Sequence, residues 1–274
     1  MKSRWLYAHA LPAGIALLFF LPLLWLFFNS LGPLGIPEMG KLVLIPSDPQ
    51  WSNYVRVFTE YPLTRQFFNS IVLVALAVPL TLITASLGGF AMAQLPNPIR
   101  NRLVLGTIVL LIIPLPALWM PRFVILSAVG LTDTLFALLI PALMGSSPFF
   151  VLLFYWTFRR IPLDLYDSAR IDGASRVRIW WAIALPLARP TLAVTAVLAF
   201  VMYWSDYLTP LVYLRTDTNF TFSQRLQMFT QQDIAMQPLA MAAVVVSIVP
   251  SLVLFLMVQR YFWPEGRTGG FAGR

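Results

Sequence analysis

The sequence predicts an all-α, polytopic membrane protein with about six transmembrane helices and a charged helical segment on the cytoplasmic side, between spans four and five. Three observations carry this. Of 274 residues, 59% are apolar and 11% charged, whereas soluble domains carry roughly 25% charge; with a mean hydropathy of +0.77, the main solvent is lipid. Six stretches, about 10–30, 69–94, 103–126, 135–158, 190–213 and 239–261, have the roughly 20 predominantly apolar residues that a helix needs to cross hydrocarbon. Between the fourth and fifth, the 159–189 loop gathers charge. Strands would leave unpaired backbone groups in lipid, and the alternating segments of a membrane barrel are missing. The chain therefore reads as a single transmembrane domain over 1–274, with core spans at about 69–261.

The first span follows Lys2 and Arg4; its apolar run is too long for a typical signal peptide and lacks a small-residue cleavage site, so it reads as retained. His9 sits at its edge, at headgroup level. In the second span Ala85, Gly89 and Ala93 recur every four residues, a small-residue face that lets another backbone approach. The third carries Pro114, Pro116 and Pro121, which remove amide donors and break the helical ladder. The carbonyls so freed belong either to a packed kink or to the lining of a pathway. The fifth ends in Trp204, Ser205, Asp206 and Tyr207 after an apolar run.

Placing Lys2 and Arg4 on one side assigns thirteen of the 19 Lys and Arg residues to that side and leaves six, Lys41, Arg56, Arg65, Arg122, Arg215 and Arg225, on the other. The positive-inside rule then puts both termini and the 159–189 loop in the cytoplasm. The net charge of +8 thus reads as topology against membrane lipid, with no nucleic-acid partner. Cysteine is absent, which excludes disulfides and thiolate chemistry, and no catalytic or metal-ligating set is predicted. GIPEMGKL at 35–42 has the spacing of a phosphate loop but lacks the final Ser or Thr, follows no strand, and falls outside the membrane. Asp206 is the one clear carboxylate inside a span. An ion-coupled carrier would use it and should also show internal repeats with paired broken helices. The energy for transport is therefore expected from another subunit.

The segment YDSARIDGASRVRIWWAIALPLARP, 166–190, is the informative one. Pro162 suits a helix start, and a short helix follows with Leu165 and Ala169 one turn apart. Asp172-Gly173 ends it, since glycine accepts positive φ. Ser175 caps a second helix running through Val177 and Trp181 toward Pro186. The product is a helix-turn-helix knob suited to a protein groove; a surface-lying loop anchored by arginines to headgroups is the alternative.

At these residues the chain resembles the inner-membrane permease subunits of binding-protein-dependent ABC importers. Their cytoplasmic loop has the pattern E-A-A-x-x-x-G-x9-I-x-L-P, matched here by Asp167, Ser168, Ala169, Gly173, Ile183, Leu185 and Pro186, with Asp for Glu and Ser for Ala. FFNS at 67–70, GLTDT at 130–134, IDGAS at 171–175, YWSDYLTPL at 203–211, QRYF at 259–262 and GRTGGFAG at 266–273 are similar to further signatures, and several point to the carbohydrate branch. The resemblance implies the smaller permease of a heterodimeric, maltose-type sugar importer in a bacterial or archaeal cytoplasmic membrane. It implies a second permease, a cytoplasmic ATPase dimer that binds the ATP and magnesium, an extracytoplasmic solute-binding protein and a carbohydrate substrate. This chain itself would hold no cofactor and catalyse no bond chemistry. Asp167, Ser168, Ala169, Asp172, Gly173, Ala174 and Ser175 become the ATPase-coupling residues. A different solute, such as a glycerol phosphate or an oligopeptide, and a purely structural membrane subunit are the competing readings.

In the fifth span, positions 204, 207, 208 and 211 share one helical face, with 206 about 200° from 204. Trp204, Tyr207 and Leu211 are therefore expected to face the substrate pathway and Asp206 to face protein. The other reading makes the aromatics an interface belt and Asp206 a helix cap.

Overall fold

The computed structural model describes residues 2–35, 45–61, 63–231 and 234–261. The GIPEMGKL stretch beyond Gly35, Phe262 of QRYF and the whole of GRTGGFAG lie outside the described residues, as do the side chains up to His9. Among the described residues the chain is helical with no strand. Four stretches are long and apolar enough to cross a bilayer: Ala10–Ser30, Leu63–Ala93, Leu135–Arg159 and Gln237–Tyr261. Two bent pairs complete up to six spans: Asn97–Ile112 with Leu115–Ala128, at 95°, and Arg176–Leu187 with Arg189–Ser205, at 85°. Leu17, Phe19, Leu105 and Ile112 are among many large apolar side chains left on the surface, as a lipid solvent allows.

The chain divides into two compact units. The first comprises Met1–Gln66 and Arg225–Pro250. Here α1 (Lys2–Ser30) ends in a turn that α2 (Ser52–Thr59) clasps: the Asn53 amide donates to the carbonyls of Ser30 and Gly32, both at 2.9 Å, and the Ser30 and Tyr54 hydroxyls meet at 2.7 Å. The short helix α2 sits in a stretch that the sequence marks only as a loop between spans.

The second unit, Phe67–Gln224 with Ser251–Arg274, carries the rest. Its axis is α3 (Leu63–Ala93) against the broken fourth span, α6 (Leu135–Leu143) and α7 (Pro148–Arg159). The small-residue face packs as its spacing requires. A Cβ on Gly89 would lie 2.7 Å from Phe154 Cβ and the Tyr155 amide and 2.8 Å from the Val151 carbonyl, and Ala85 and Ala93 are buried. Between α6 and α7, Gly145 and Ser146 take φ of +77° and +59°, so the span is interrupted. Thr84 of α3 repairs the break: its hydroxyl accepts from the Gly145 amide at 3.1 Å and donates to the Ala142 carbonyl at 2.5 Å. Side-chain hydroxyls thus satisfy backbone that lipid cannot.

The third span bends where prolines forbid the ladder. α4 (Asn97–Ile112) stops at Ile113, which is extended as a residue before proline should be, and Pro114 leads into a 3-10 turn, Leu115–Leu118, before α5 (Trp119–Ala128). On the outer side as the charge count assigns it, Asp133 takes φ +61° and its carboxylate accepts the amides of Arg215 at 2.9 Å and Thr216 at 3.0 Å, and the Thr216 hydroxyl. Asn69 donates to the carbonyls of Thr218 and Phe220, both at 2.9 Å, and Ser70 accepts from the Phe222 amide at 2.8 Å. The FFNS and GLTDT signatures are therefore two latches on one loop, 214–222.

Candidate functional site

Two features of the second unit stand out. The first is the knob. α8 (Leu163–Ile171) follows Pro162 and ends in a Schellman turn: the Ala174 amide donates to the Ala169 carbonyl at 2.9 Å, the Gly173 amide to Arg170 at 3.0 Å, and Gly173 has φ +80°. Ser175 then caps α9 (Arg176–Ile179), accepting from the Arg178 amide at 3.3 Å. A π-turn, Trp180–Ala184, runs into the short α10 (Leu185–Leu187); the extra residue in that turn accommodates Pro186, which brings no amide to the ladder. The inner face of α8 differs from the expected one. Leu165 is exposed, and Tyr166 is buried together with Ala169, because Tyr166 fits a slot between Phe90 and Phe158. Burial pushes the Tyr166 phenol up to about 12.

Of the predicted coupling residues, Asp167, Ser168, Asp172, Gly173 and Ser175 are exposed, Ala174 is half-buried, and Ala169 faces inward. Asp167 pairs with Arg170 at 2.7 Å, and Arg170 also donates to the Gln94 side chain just beyond α3. Ile179 and Trp180 are buried on the knob's inner side, and the Trp180 indole donates to Ser86 of α3 at 3.3 Å. The knob therefore presents a charged outer face and is keyed to α3 and α7 by Tyr166, Ile179 and Trp180. These three were missed because their partners lie far away in sequence.

The second feature is a cavity of 80 Å³ where three breaks converge: the bend of the third span, the Gly145–Ser146 turn of the fourth, and the end of α11 (Arg189–Ser205). Trp119, Arg122, Ser146, Tyr203, Asp206 and Thr209 bring polar or aromatic groups to it, beside Leu73, Leu115 and Met202. The Ser146 hydroxyl meets those of Thr81 and Tyr203, the latter at 2.9 Å. Asp206 accepts from the Thr209 amide at 3.1 Å and so caps α12 (Leu208–Tyr213). Arg122 and Asp206 form no ion pair with each other, leaving donor and acceptor capacity for a guest. The third span brings Leu115, Trp119 and Arg122 to this cavity, whereas Pro114, Pro116 and Pro121 are exposed and do not line it.

This geometry corrects the expectation for Trp204; for Tyr207 and Leu211, which are exposed, it removes only the shared helical face. Trp204 is 4% exposed, stacked on Phe200 at 5.6 Å and edge-on to Phe67 at 5.7 Å; it is core and does not line the cavity. Tyr207 and Leu211 are on the surface, Leu211 52% exposed, and neither lines the cavity. Asp206 does. A single face through 204, 207 and 211 requires one continuous helix, and the helix stops at Ser205 and restarts at Leu208. Arg122 and Ser146 went unrecognised; the visible signals were an arginine directly after Pro121 and a Gly-Ser pair inside an apolar span. Among the described residues no group of three or more His, Asp or Glu could hold a metal ion.

Broken helices around a polar cavity, on a bundle that also offers a keyed external knob, define a multi-pass transport protein. The chain belongs to the family described as binding-protein-dependent transport system inner membrane component, whose model matches residues 77–265. It is 33% identical to the arabinooligosaccharides transport system permease protein AraQ of Halalkalibacterium halodurans, with 99% of each chain covered. It is 30% identical to the trehalose transport system permease protein SugB of Mycobacterium tuberculosis, over 94% of this chain and 93% of that one. Its fold is that of a chain in the crystal structure of a bacterial ABC transporter for the import of the polysaccharide alginate: TM-score 0.79, 23% identity, 96% of this chain and 97% of the other covered. The protein is thus a multi-pass inner-membrane permease.

Proposed function

We propose that this chain is one of two permeases of an ATP-driven importer for a sugar or oligosaccharide, that a cytoplasmic ATPase pair docks on α8 and α9, and that a solute-binding protein delivers substrate from outside. The observation that carries the reading is the knob, whose charged outer face is keyed to α3 and α7 by Tyr166, Ile179 and Trp180. The 80 Å³ cavity at the three helix breaks is smaller than the roughly 300–1,000 Å³ of small-molecule sites and would widen as the helices move to admit a sugar. Arg122 and Asp206, unpaired with each other, suit the donors and acceptors of vicinal hydroxyls, and Trp119 offers an aromatic wall. The relatives named for arabinooligosaccharides and trehalose support the same class. ATP and magnesium belong to the ATPase in this reading, and both termini of this chain are cytoplasmic.

The mechanism is alternating access. Closure of the ATPase pair moves the knob, and because Tyr166, Ile179 and Trp180 seat the knob on α3 and α7, the displacement passes to the helices that carry the cavity. The ATPase must bind the knob more tightly in one state than the other; turning a 1:99 population into 99:1 takes about 5.5 kcal/mol of difference, shared between two permeases.

The test is reconstitution with a second permease, an ATPase and a binding protein of the same organism, and uptake of labelled di- and oligosaccharides. Arg122→Ala and Asp206→Asn should lower uptake at least tenfold, at unchanged complex yield and unchanged basal ATPase activity. Uptake of a glycerol phosphate or an oligopeptide in place of any sugar would replace the substrate class. Normal sugar uptake by both variants would remove the cavity from the pathway.

A further inference from the structure

A second hollow in the same unit is of a different kind. It measures 450 Å³ and opens between α3, through Leu82 and Ile83, the π-turn, through Trp180 and Trp181, and the start of α11, at Arg189. That is within the roughly 300–1,000 Å³ of small-molecule sites. Its wall is almost wholly apolar. The one hydroxyl there, Ser86, already accepts the Trp180 indole N–H. The one charge is Arg189, exposed and in no ion pair among the described residues.

The charges of the knob are sorted along the chain. α8 and the turn after it carry Asp164, Asp167 and Asp172, with Arg170 already paired to Asp167. From Ser175 to the start of α11 every charge is an arginine: Arg176, Arg178 and Arg189. Arg178 lies one turn before Trp181, which is 67% exposed beside the groove. An apolar slot with an unpaired guanidinium at its mouth and an exposed indole beside it has the shape and charge of one amphiphile with an anionic head. A packing helix is about 10 Å across with its side chains; it would seek a long trough and would need an acidic residue of its own to satisfy Arg189.

We infer that this groove binds an anionic phospholipid, one acyl chain lying against Leu82, Ile83, Trp180 and Trp181 and the phosphate held by Arg189. Basic pockets beside transmembrane helices on the cytoplasmic side recognise such headgroups, at about 1 kcal/mol per arginine. The site goes beyond the transport reading, and only its cytoplasmic placement and its bearing on coupling rest on that reading. It has a consequence for coupling: Trp180 is at once the wall of the groove and one of the three side chains that seat the knob, so occupancy braces the knob against α3.

The experiment uses the full chain in its purified complex, in nanodiscs of equal phosphatidylglycerol and phosphatidylcholine, with retained lipid counted by native mass spectrometry. The expected result is preferential retention of phosphatidylglycerol, an about fivefold loss of that preference in Arg189→Gln, and loss of both lipids in Ile83→Trp, which fills the slot. Equal retention of the two lipids by the unaltered protein, or an unchanged preference in Arg189→Gln, overturns the inference. Because the chain has no cysteine, Ile83→Cys bearing a benzophenone reports the occupant directly. An adduct with the mass of a lipid supports the site. A crosslink to the second permease overturns it in favour of a subunit interface.

Discussion

Tyr166 of the knob stands edge-on to Phe90 of α3, ring centroids 5.8 Å apart at 80°. With 1% of its surface exposed, it is the bolt that joins the knob to the transmembrane bundle. Edge-to-face contacts add about 0.5–1.5 kcal/mol to the apolar burial. Tyr166→Ala should therefore cost about 3–5 kcal/mol locally, seen as uptake lost while ATP hydrolysis continues uncoupled. Tyr166→Phe should behave nearly as the parent, since its hydroxyl makes only a long bond of 3.4 Å to the Phe158 carbonyl. Equal loss of uptake in both variants would refute the packing role.

Gly173 has φ +80°, and nothing lies within 4 Å of the Cβ it lacks. The cost of a side chain there is conformational alone, about 1–2 kcal/mol. Gly173→Ala should weaken retention of the ATPase during purification, and Gly173→Asn should weaken it less, because asparagine tolerates the left-handed region. Steric exclusion by the bundle would produce the opposite order.

Gly89→Ala is predicted to be worse, although the change is as small. Two of the three atoms its Cβ would meet are backbone and cannot turn aside. Overpacking of this kind costs about 1–3 kcal/mol or more. The thermal midpoint of the solubilised complex should fall, whereas Gly106→Ala, with open space around it, should leave it unchanged.

Asp133 anchors the outer loop. Partial burial works against its ionisation, but the Thr216 hydroxyl and the amides of Thr216 and Arg215 outweigh it and hold the carboxyl at about 2, below the ordinary 3.8. A carboxyl with a lowered folded-state pKa contributes stability above its unfolded value, lost as pH falls through the folded one. Lowering the pH from 5 toward 2 should thus loosen the 214–222 loop, read as proteolysis or spin-label mobility. Asp133→Asn keeps the left-handed residue and an acceptor, and should be looser at pH 7 but insensitive over that window. Equal acid sensitivity in both proteins would assign the effect elsewhere.

Orientation is testable on the cysteine-free chain with impermeant maleimides. Ser175→Cys should label only from the cytoplasm, and Asp48→Cys and Thr218→Cys only from outside; all three positions are exposed. External labelling at 175 would invert the topology and remove the knob from the ATPase.

Much of the knob was legible because its signals are local: Gly173 and Ser175 act on amides within a few residues, and the charge of the segment contrasts with its flanks. The position of the third-span bend was likewise written in Pro114 and Pro116. The 95° angle was not, since it depends on what α4 and α5 pack against. α2 was not legible either. It is amphipathic but only eight residues long, and it is held by Asn53 binding carbonyls at Ser30 and Gly32, more than twenty positions back.

By itself the sequence determined lipid as the solvent, the stretches apolar enough to cross it, the place of the third-span bend at Pro114 and Pro116, and the motif surface of the knob, because hydropathy, missing amides and positive φ are properties of a residue and its neighbours. Only the tertiary structure decided which side chains meet. Trp204 went into the core because Phe67 and Phe222, from elements remote in the chain, close on it beside Phe200 of its own helix. Arg122 and Asp206, 84 positions apart, came to one cavity because the helices bearing them are broken at the same place. A helical wheel assumes one continuous helix, and the end of α11 at Ser205 removed that assumption at the residues where the substrate face was sought.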